Sequence, residues 1–263
     1  MMEFPEIDPT IFRIGSLEVR WYGVLYIVGF LLAYFFYKRF LRYRQASLPK
    51  DDYDNLLFYL MLGVVIGGRF GYVIFYNLPY YFQHPLHVFA VWQGGMSFHG
   101  GVLGVIVAGL IFARKQQISF YRYADPIMPL AALGLGLGRL GNFINGELYG
   151  RVTEMPWGMI FPHSDGQMRH PSQLYEAFLE GVLLFFITWL ILRKSKTNGV
   201  VFYSWIGLYG LFRFIVEFFR QPDEHLGFIL ASFTMGQLLS FAMIIFALLG
   251  LGIIYAKNRK TLH

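Results

Sequence analysis

Apolar residues along this chain gather into blocks long enough to cross a bilayer, separated by short polar clusters. The hydrocarbon core is about 30 Å thick and a helix rises about 1.5 Å per residue, so roughly 20 mostly apolar residues make a span. Such runs lie near residues 20–38, 56–76, 93–113, 124–143, 172–192, 200–219 and 233–256. The pattern predicts an all-α integral membrane protein of about seven transmembrane helices, with 1–263 as a single polytopic domain. The one long connection, 144–171 between spans four and five, is punctuated by Gly146, Gly150, Pro156, Gly158, Pro162 and Gly166. It reads as a small ordered cap.

Composition agrees with this. Hydrophobic residues make up 56% and charged residues 14%, against about 25% charged in a soluble domain. Positive charge sets the orientation. Lys38, Arg39, Arg42, Arg44 and Lys50 follow span one; Arg114, Lys115 and Arg122 follow span three; Arg193, Lys194 and Lys196 follow span five; Lys257, Arg259 and Lys260 close the chain. These are 14 of the 22 basic residues, all on one side if the spans alternate. Asn77–His87, after span two, has no Lys or Arg. The N-terminus is therefore expected outside the cytoplasm, the C-terminus inside, and the cap outside. The segment Met1–Gly15 lacks a basic n-region, so no secretory signal peptide is expected and Tyr22–Tyr37 reads as an uncleaved span. Cysteine is absent, which removes disulfides and cysteine nucleophiles from consideration. The basic residues flank spans, and no nucleic-acid partner is expected.

Glycines sit four apart in span two (Gly63, Gly67, Gly71) and in span four (Gly134, Gly138), the spacing of close helix packing. Gly136-Leu-Gly138-Arg-Leu-Gly141 fits a dinucleotide fingerprint but lies in a membrane run with no strand before it. Ionisable residues inside spans are functional candidates because lipid makes them costly. With the orientation fixed, Arg69, His99, Arg139, Asn142, Glu147, Tyr209, Arg213, Glu217 and Tyr22 fall in the outer half. His99 is expected about six residues, or about 9 Å, below the outer surface. Each residue also has a plain reading. Arg213 and Glu217 can be a structural pair, Arg69 can snorkel or neutralise Glu147 or Glu217, His99 can be a packing residue and Tyr22 can belong to an aromatic belt. Asp125 before Pro126 reads as a helix N-cap. In the outer layer Arg69, Arg139 and Arg213, with Arg220 nearby, outnumber Glu147 and Glu217. Forked guanidiniums in excess invite a phosphate, and at this depth phosphate belongs to a lipid headgroup.

Gly138-Arg139-Leu-Gly-Asn142-Phe-Ile-Asn145-Gly-Glu147-Leu-Tyr-Gly150, read as one string, resembles the signature of the bacterial prolipoprotein diacylglyceryl transferases. Gly94-Gly-Met-Ser-Phe-His99-Gly-Gly, His170-Pro-Ser-Gln-Leu-Tyr-Glu176 and Tyr209-Gly-Leu-Phe-Arg213-Phe-Ile-Val-Glu217-Phe-Phe-Arg220-Gln-Pro-Asp223 resemble further segments of that family. The resemblance implies a multi-pass enzyme of the bacterial inner membrane, with a periplasm-facing site in the outer-leaflet half. It implies transfer of the diacylglyceryl group of phosphatidylglycerol to the lipobox cysteine of a preprolipoprotein, with release of glycerol phosphate. Membrane lipids and the lipobox segment are the implied partners, and no cofactor or metal is implied. His99, Arg139 and Arg213 carry over as catalytic. Tyr22, Asn142, Glu147, Gly150, Tyr209 and Glu217 match positions around the site, and Arg69 joins the substrate-binding set.

The residues support such chemistry in their own right. A thiol with an ordinary pKa near 8.5 needs a base, and His99, Glu147 or Glu217 can provide one. The arginines suit a departing phosphate. A transporter of an anionic solute or lipid is the alternative, although the charges lie off-centre and the halves show no repeat.

The cysteine-free background permits a direct topology test. Single cysteines at Asn77 and Gly166 should react with an impermeant thiol reagent in whole cells, and one at Ser195 should not. The reverse pattern would invert the orientation.

Overall fold

Every apolar block predicted to span is helical in the computed structural model, which describes residues 2–5, 7–15, 17–45, 48–91, 94–162, 164–221, 228–230 and 233–261. The helices are α1 (Trp21–Leu41), α2 (Lys50–Tyr76), the short α3 (Leu78–Gln83), α4 (Phe98–Lys115) and α5 (Phe120–Ile144). Next come α6 (Ser172–Glu176), a π-helical stretch (Ala177–Leu183) and α7 (Leu184–Lys194), which together form one rod. The last two are α8 (Val200–Val216) and α9 (Met235–Thr261). Among the described residues five helices are long and apolar enough to cross a membrane: Trp21–Arg44, Asp51–Tyr76, Phe120–Ile144, Ser172–Lys194 and Met235–Arg259. The protein is a mostly helical membrane protein. The two remaining blocks give α4, with 18 residues, and α8, with 17.

Contacts divide the chain into two units, Met1–Arg44 with Asp125–His263, and Gln45–Ala124. In the second unit α2 packs on α4 through glycine. A Cβ on Gly63 would lie 2.6 Å from the carbonyl oxygen of Gly104, and one on Gly71 would lie 2.7 Å from Cα of Gly100. The two backbones are in direct contact, which gives helices in lipid the dispersion energy that water exclusion cannot supply there. The glycine spacing of span two is thus a packing surface. In α5 the same spacing faces α1: a Cβ on Gly29 would lie 3.5 Å from Cα of Gly134, and one on Gly138 would lie 3.6 Å from the Tyr26 hydroxyl. Gly136, between them, meets the rod instead, 2.9 Å by the same measure from Cα of Gly181.

Helix α4 starts later than the apolar block does. Gly94 and Gly95 have φ of 83° and 75°, a backbone that cannot continue a helix, and Ser97 caps α4 by accepting from Gly100 N at 3.2 Å. His99 therefore lies in the first turn of α4, not six residues down a span beginning at 93.

The first unit adds short strands to the helices. β1 (Met2–Glu3) pairs in parallel with β4 (Met159–Ile160), β2 (Thr10–Ile14) forms a hairpin with β3 (Leu17–Arg20), and β5 (Phe228–Leu230) pairs with β6 (Phe233–Thr234). The 144–171 connection packs against the N-terminal segment through a small aromatic cluster. Phe4 packs 5.2 Å from both Phe143 and Phe161, Tyr149 stacks on Phe161, and Phe161 is buried.

Asp125 corrects a local reading. It lies inside α5 and does not cap that helix; its carboxylate accepts from Gly199 N and Phe202 N, each at 2.9 Å, and so caps α8 from a neighbouring helix. Arg44 donates to it from Nη2 at 2.9 Å and Nε at 3.1 Å, and also to the Ser195 carbonyl. Arg44 is thus a buried structural cation, although its place in a basic cluster suggests a solvated one. Sequence reasoning looks for the cap beside the carboxylate, whereas the fold brings the helix end to it from 74 residues away.

Removing one member of a buried ion pair costs about 3–5 kcal/mol. Asp125→Ala should lower the thermal unfolding midpoint in detergent, and Arg44→Ala should do the same. The double variant should lie close to either single one; additive losses would mean that the pair is not a unit.

Candidate functional site

Four basic or acidic side chains predicted from sequence meet in the first unit, around two that are not. Arg139, near the end of α5, places Nε 2.6 Å from Glu176 Oε2 and 3.8 Å from Glu180 Oε2. Arg213, on α8, reaches the same carboxylates with Nη1, at 3.4 Å and 3.9 Å. One turn on, Glu217 holds Arg213 Nη2 at 3.0 Å, and its other oxygen accepts from Thr234 Oγ1 at 2.9 Å. Arg220 Nη1 lies 3.2 Å from Glu176 Oε1. Glu176 is 1% exposed and Glu180 0%. In such surroundings charge is stable only when paired.

Sequence reasoning misses Glu176 and Glu180 as site residues. Glu176 stands there only as the last letter of a motif, and Glu180 is absorbed into a span. Their signal is present: two acids four apart within an apolar run project from one helix face. The π-helical stretch carries Glu180, and such widened turns recur at functional sites. Their presence also corrects the inferred arginine excess. Among the described residues of this cluster Arg139, Arg213 and Arg220 face Glu176, Glu180 and Glu217, and their formal charges balance.

Asn142 and Glu147 form the turn at the end of α5. Asn142 Nδ2 donates to Glu147 Oε1 at 2.8 Å, Asn145 Nδ2 to the same oxygen at 3.2 Å, and Glu147 N to the Asn142 carbonyl at 3.1 Å. Gln173 Nε2 donates to the Glu147 carbonyl at 2.7 Å, which ties this turn to the start of α6. Gly150 lies where chains touch: a Cβ there would sit 2.8 Å from both Cβ and the carbonyl oxygen of His170. Its N–H donates to that carbonyl at 2.8 Å, and the next residue, Arg151, bonds through its N–H to Phe219. The cap is thereby stitched to the end of α8. His170 bonds Tyr175 Oη through Nδ1 at 3.1 Å, and partial burial holds its imidazole below the ordinary histidine range.

Tyr22 opens α1 with its hydroxyl 3.1 Å from that of Tyr26, and its ring lies where a side chain on Gly141 would be. Tyr209, one turn before Arg213, stacks on Trp205 with ring centroids 5.3 Å apart. Carboxylates orient both Arg139 and Arg213, an arrangement of forked donors able to receive an oxyanion.

Arg69 and His99 belong to the other unit, Gln45–Ala124. Arg69 is buried, and among the described residues of its unit it pairs with no carboxylate. It donates to four carbonyls: Val88 at 2.8 Å, Gly94 at 2.6 Å, Gly95 at 3.1 Å and His87 at 2.5 Å. This guanidinium shapes the loop leading to α4. Carbonyl partners leave no mark in side-chain identities, so the sequence does not reveal them. The His99 side chain lies outside the described residues.

The family profile described as prolipoprotein diacylglyceryl transferase matches residues 9–253. Relatives with the name phosphatidylglycerol–prolipoprotein diacylglyceryl transferase include one from Geobacter sulfurreducens, 58% identical over 98% of both chains. One from Desulfotalea psychrophila is 50% identical over 98% of this chain and 97% of its own. One from Bordetella parapertussis is 50% identical over 93% and 94%.

Three arginines converge on Glu176, so its loss should strand buried positive charge at a cost of about 3–5 kcal/mol. Glu176→Ala should lower the unfolding midpoint in detergent, read by tryptophan fluorescence. Glu154→Ala, at an exposed position on the cap, should leave it unchanged. Equal midpoints for both variants would mean that the cluster contributes little.

Proposed function

The chain belongs to the prolipoprotein diacylglyceryl transferase family, and from that premise we propose that it transfers the diacylglyceryl group of phosphatidylglycerol to the lipobox cysteine thiol of a preprolipoprotein. Glycerol phosphate is the second product. The observation that carries this reading is the pair of forked guanidiniums, Arg139 and Arg213, held on the shared Glu176 carboxylate. The enzyme is a multi-pass protein of the bacterial inner membrane with seven spans, α4 and α8 crossing along with the five longer helices. Its N-terminus is periplasmic, its C-terminus is cytoplasmic, and the 144–171 cap covers a periplasm-facing site.

The sulfur attacks the glycerol carbon that bears the phosphate ester. The carbon–oxygen bond breaks, and its electron pair leaves on the oxygen of glycerol phosphate. Arg139 binds the lipid phosphate and Arg213 stabilises the charge that grows as it departs. Both acyl esters remain on the transferred group. The thiol proton goes to His99, a role supported by how fully the alternative carboxylates are engaged. Glu217 already holds a guanidinium and a hydroxyl, and Glu147 accepts from two amides. Tyr22, Asn142, Glu147, Gly150, Tyr209 and Glu217 line or brace the lipid site, and Arg69 acts through the loop it holds.

Incubation with a lipobox peptide and phosphatidylglycerol labelled in either the headgroup or an acyl chain tests this. Acyl label should follow the peptide, and headgroup label should appear as water-soluble glycerol phosphate. Arg139→Ala and Arg213→Ala should each lower kcat by about 10²–10³, the usual cost of one preorganised donor. Lysine should rescue poorly because a point charge cannot replace the fork, and Arg193→Ala should be neutral. Lysophosphatidylglycerol with a singly acylated peptide would overturn the reaction; full activity in Arg139→Ala would overturn the site.

A further inference from the structure

Glu180 is the one acid of the ion cluster that the proposed chemistry does not use. Its side chain is fully buried in the rod Ser172–Lys194. Among the described residues neither of its carboxylate oxygens has a hydrogen-bond partner. The nearest cations are Arg139 Nε at 3.8 Å and Arg213 Nη1 at 3.9 Å, beyond hydrogen-bond reach, while Glu176 takes the short contacts to both. An acid that touches neither guanidinium yet lies behind both acts on them through its field. It brings the carboxylates of the cluster to three, against Arg139, Arg213 and Arg220.

The charge of the reaction partners gives this balance a purpose. A phosphodiester lipid carries one negative charge. The glycerol phosphate released from it is a monoester with about −1.5 to −2 at neutral pH. A cluster with surplus positive charge would hold the product more tightly than the substrate, and turnover would stall after the bond breaks. We propose that Glu180 is a charge-setting residue: by keeping the Arg139–Arg213 pair formally neutral, it lets the more highly charged phosphate product leave. This rests on the transferase reading above.

The test is a charge series in the full-length enzyme, with phosphatidylglycerol, a lipobox peptide and added glycerol phosphate as inhibitor. Glu180→Gln keeps the shape of the side chain and raises the cluster charge by one. At an effective dielectric near 20 and a separation of about 8 Å, one charge changes affinity for a singly charged phosphate by about thirtyfold, and for a monoester by more. Glu180→Gln should therefore lower KM for the lipid, lower kcat, and strengthen inhibition by glycerol phosphate by more than about thirtyfold. Glu180→Asp should behave like wild type. Arg220→Gln shifts the charge the other way and should weaken inhibition; Glu180→Gln with Arg220→Gln restores neutrality and should return it toward wild type. If Glu180→Gln alone does not accumulate in the membrane, Arg220→Gln against the double variant reads the same charge step. A merely structural Glu180 would raise KM or lower the yield without ordering inhibition by charge, and a flat series would overturn the inference. Absence of transfer by wild-type enzyme would instead overturn the proposed function.

Discussion

A carboxylate removed from water and placed in a membrane-spanning rod must be surrounded by cations, and Glu176 has three within 3.4 Å. This requirement organises the first unit. The end of α5, the last turn of α8 and the chain just beyond α8 must all supply an arginine to the same point, and the position of each helix is fixed by that demand. The cap follows from it, since Gly150 and Arg151 bond to the chain leaving α8 beside Arg220. Asp125 does the same work at another point of the unit, joining Arg44 to the start of α8. Two buried acids, each satisfied by distant residues, thus hold helices that lipid alone would leave free to slide.

The second unit relies on a different force. Its α2–α4 contact depends on the absence of side chains, so that carbonyl oxygens of one helix lie against Cα atoms of the other. Dispersion between backbones is short-ranged, and any added methyl would separate the helices. Arg69, donating to four carbonyls of the loop that follows, fixes how the chain enters α4 and therefore where the first turn holding His99 begins.

What the sequence disclosed depended on the range of each interaction. Apolar runs reveal helices because every residue in a span meets the same solvent, and the Arg139–Gly150 string and the Tyr209–Glu217 face were legible for similar local reasons. Long-range partnerships were not. Asp125 looked like a cap for its own helix, yet it caps one that starts at Val200. Glu180 looked like part of an ordinary span, and counting arginines without it produced an excess that the structure removes. The short strands β1 and β4 are two residues each, too brief to show any alternation.

Those two strands set the order in which the molecule can be completed. Met2 pairs with Met159, so this ladder closes a loop that runs through α1 to α5. Contacts between such distant residues form late, because the closing entropy precedes any gain from the contact. As the chain is made and inserted, its first strand must wait, an unpaired edge with Phe4 beside it, until the cap has left the ribosome. That strand then closes on β4 before the cap gains its bond to Phe219, which emerges about sixty residues later, so the cap is completed from both ends of the chain in turn.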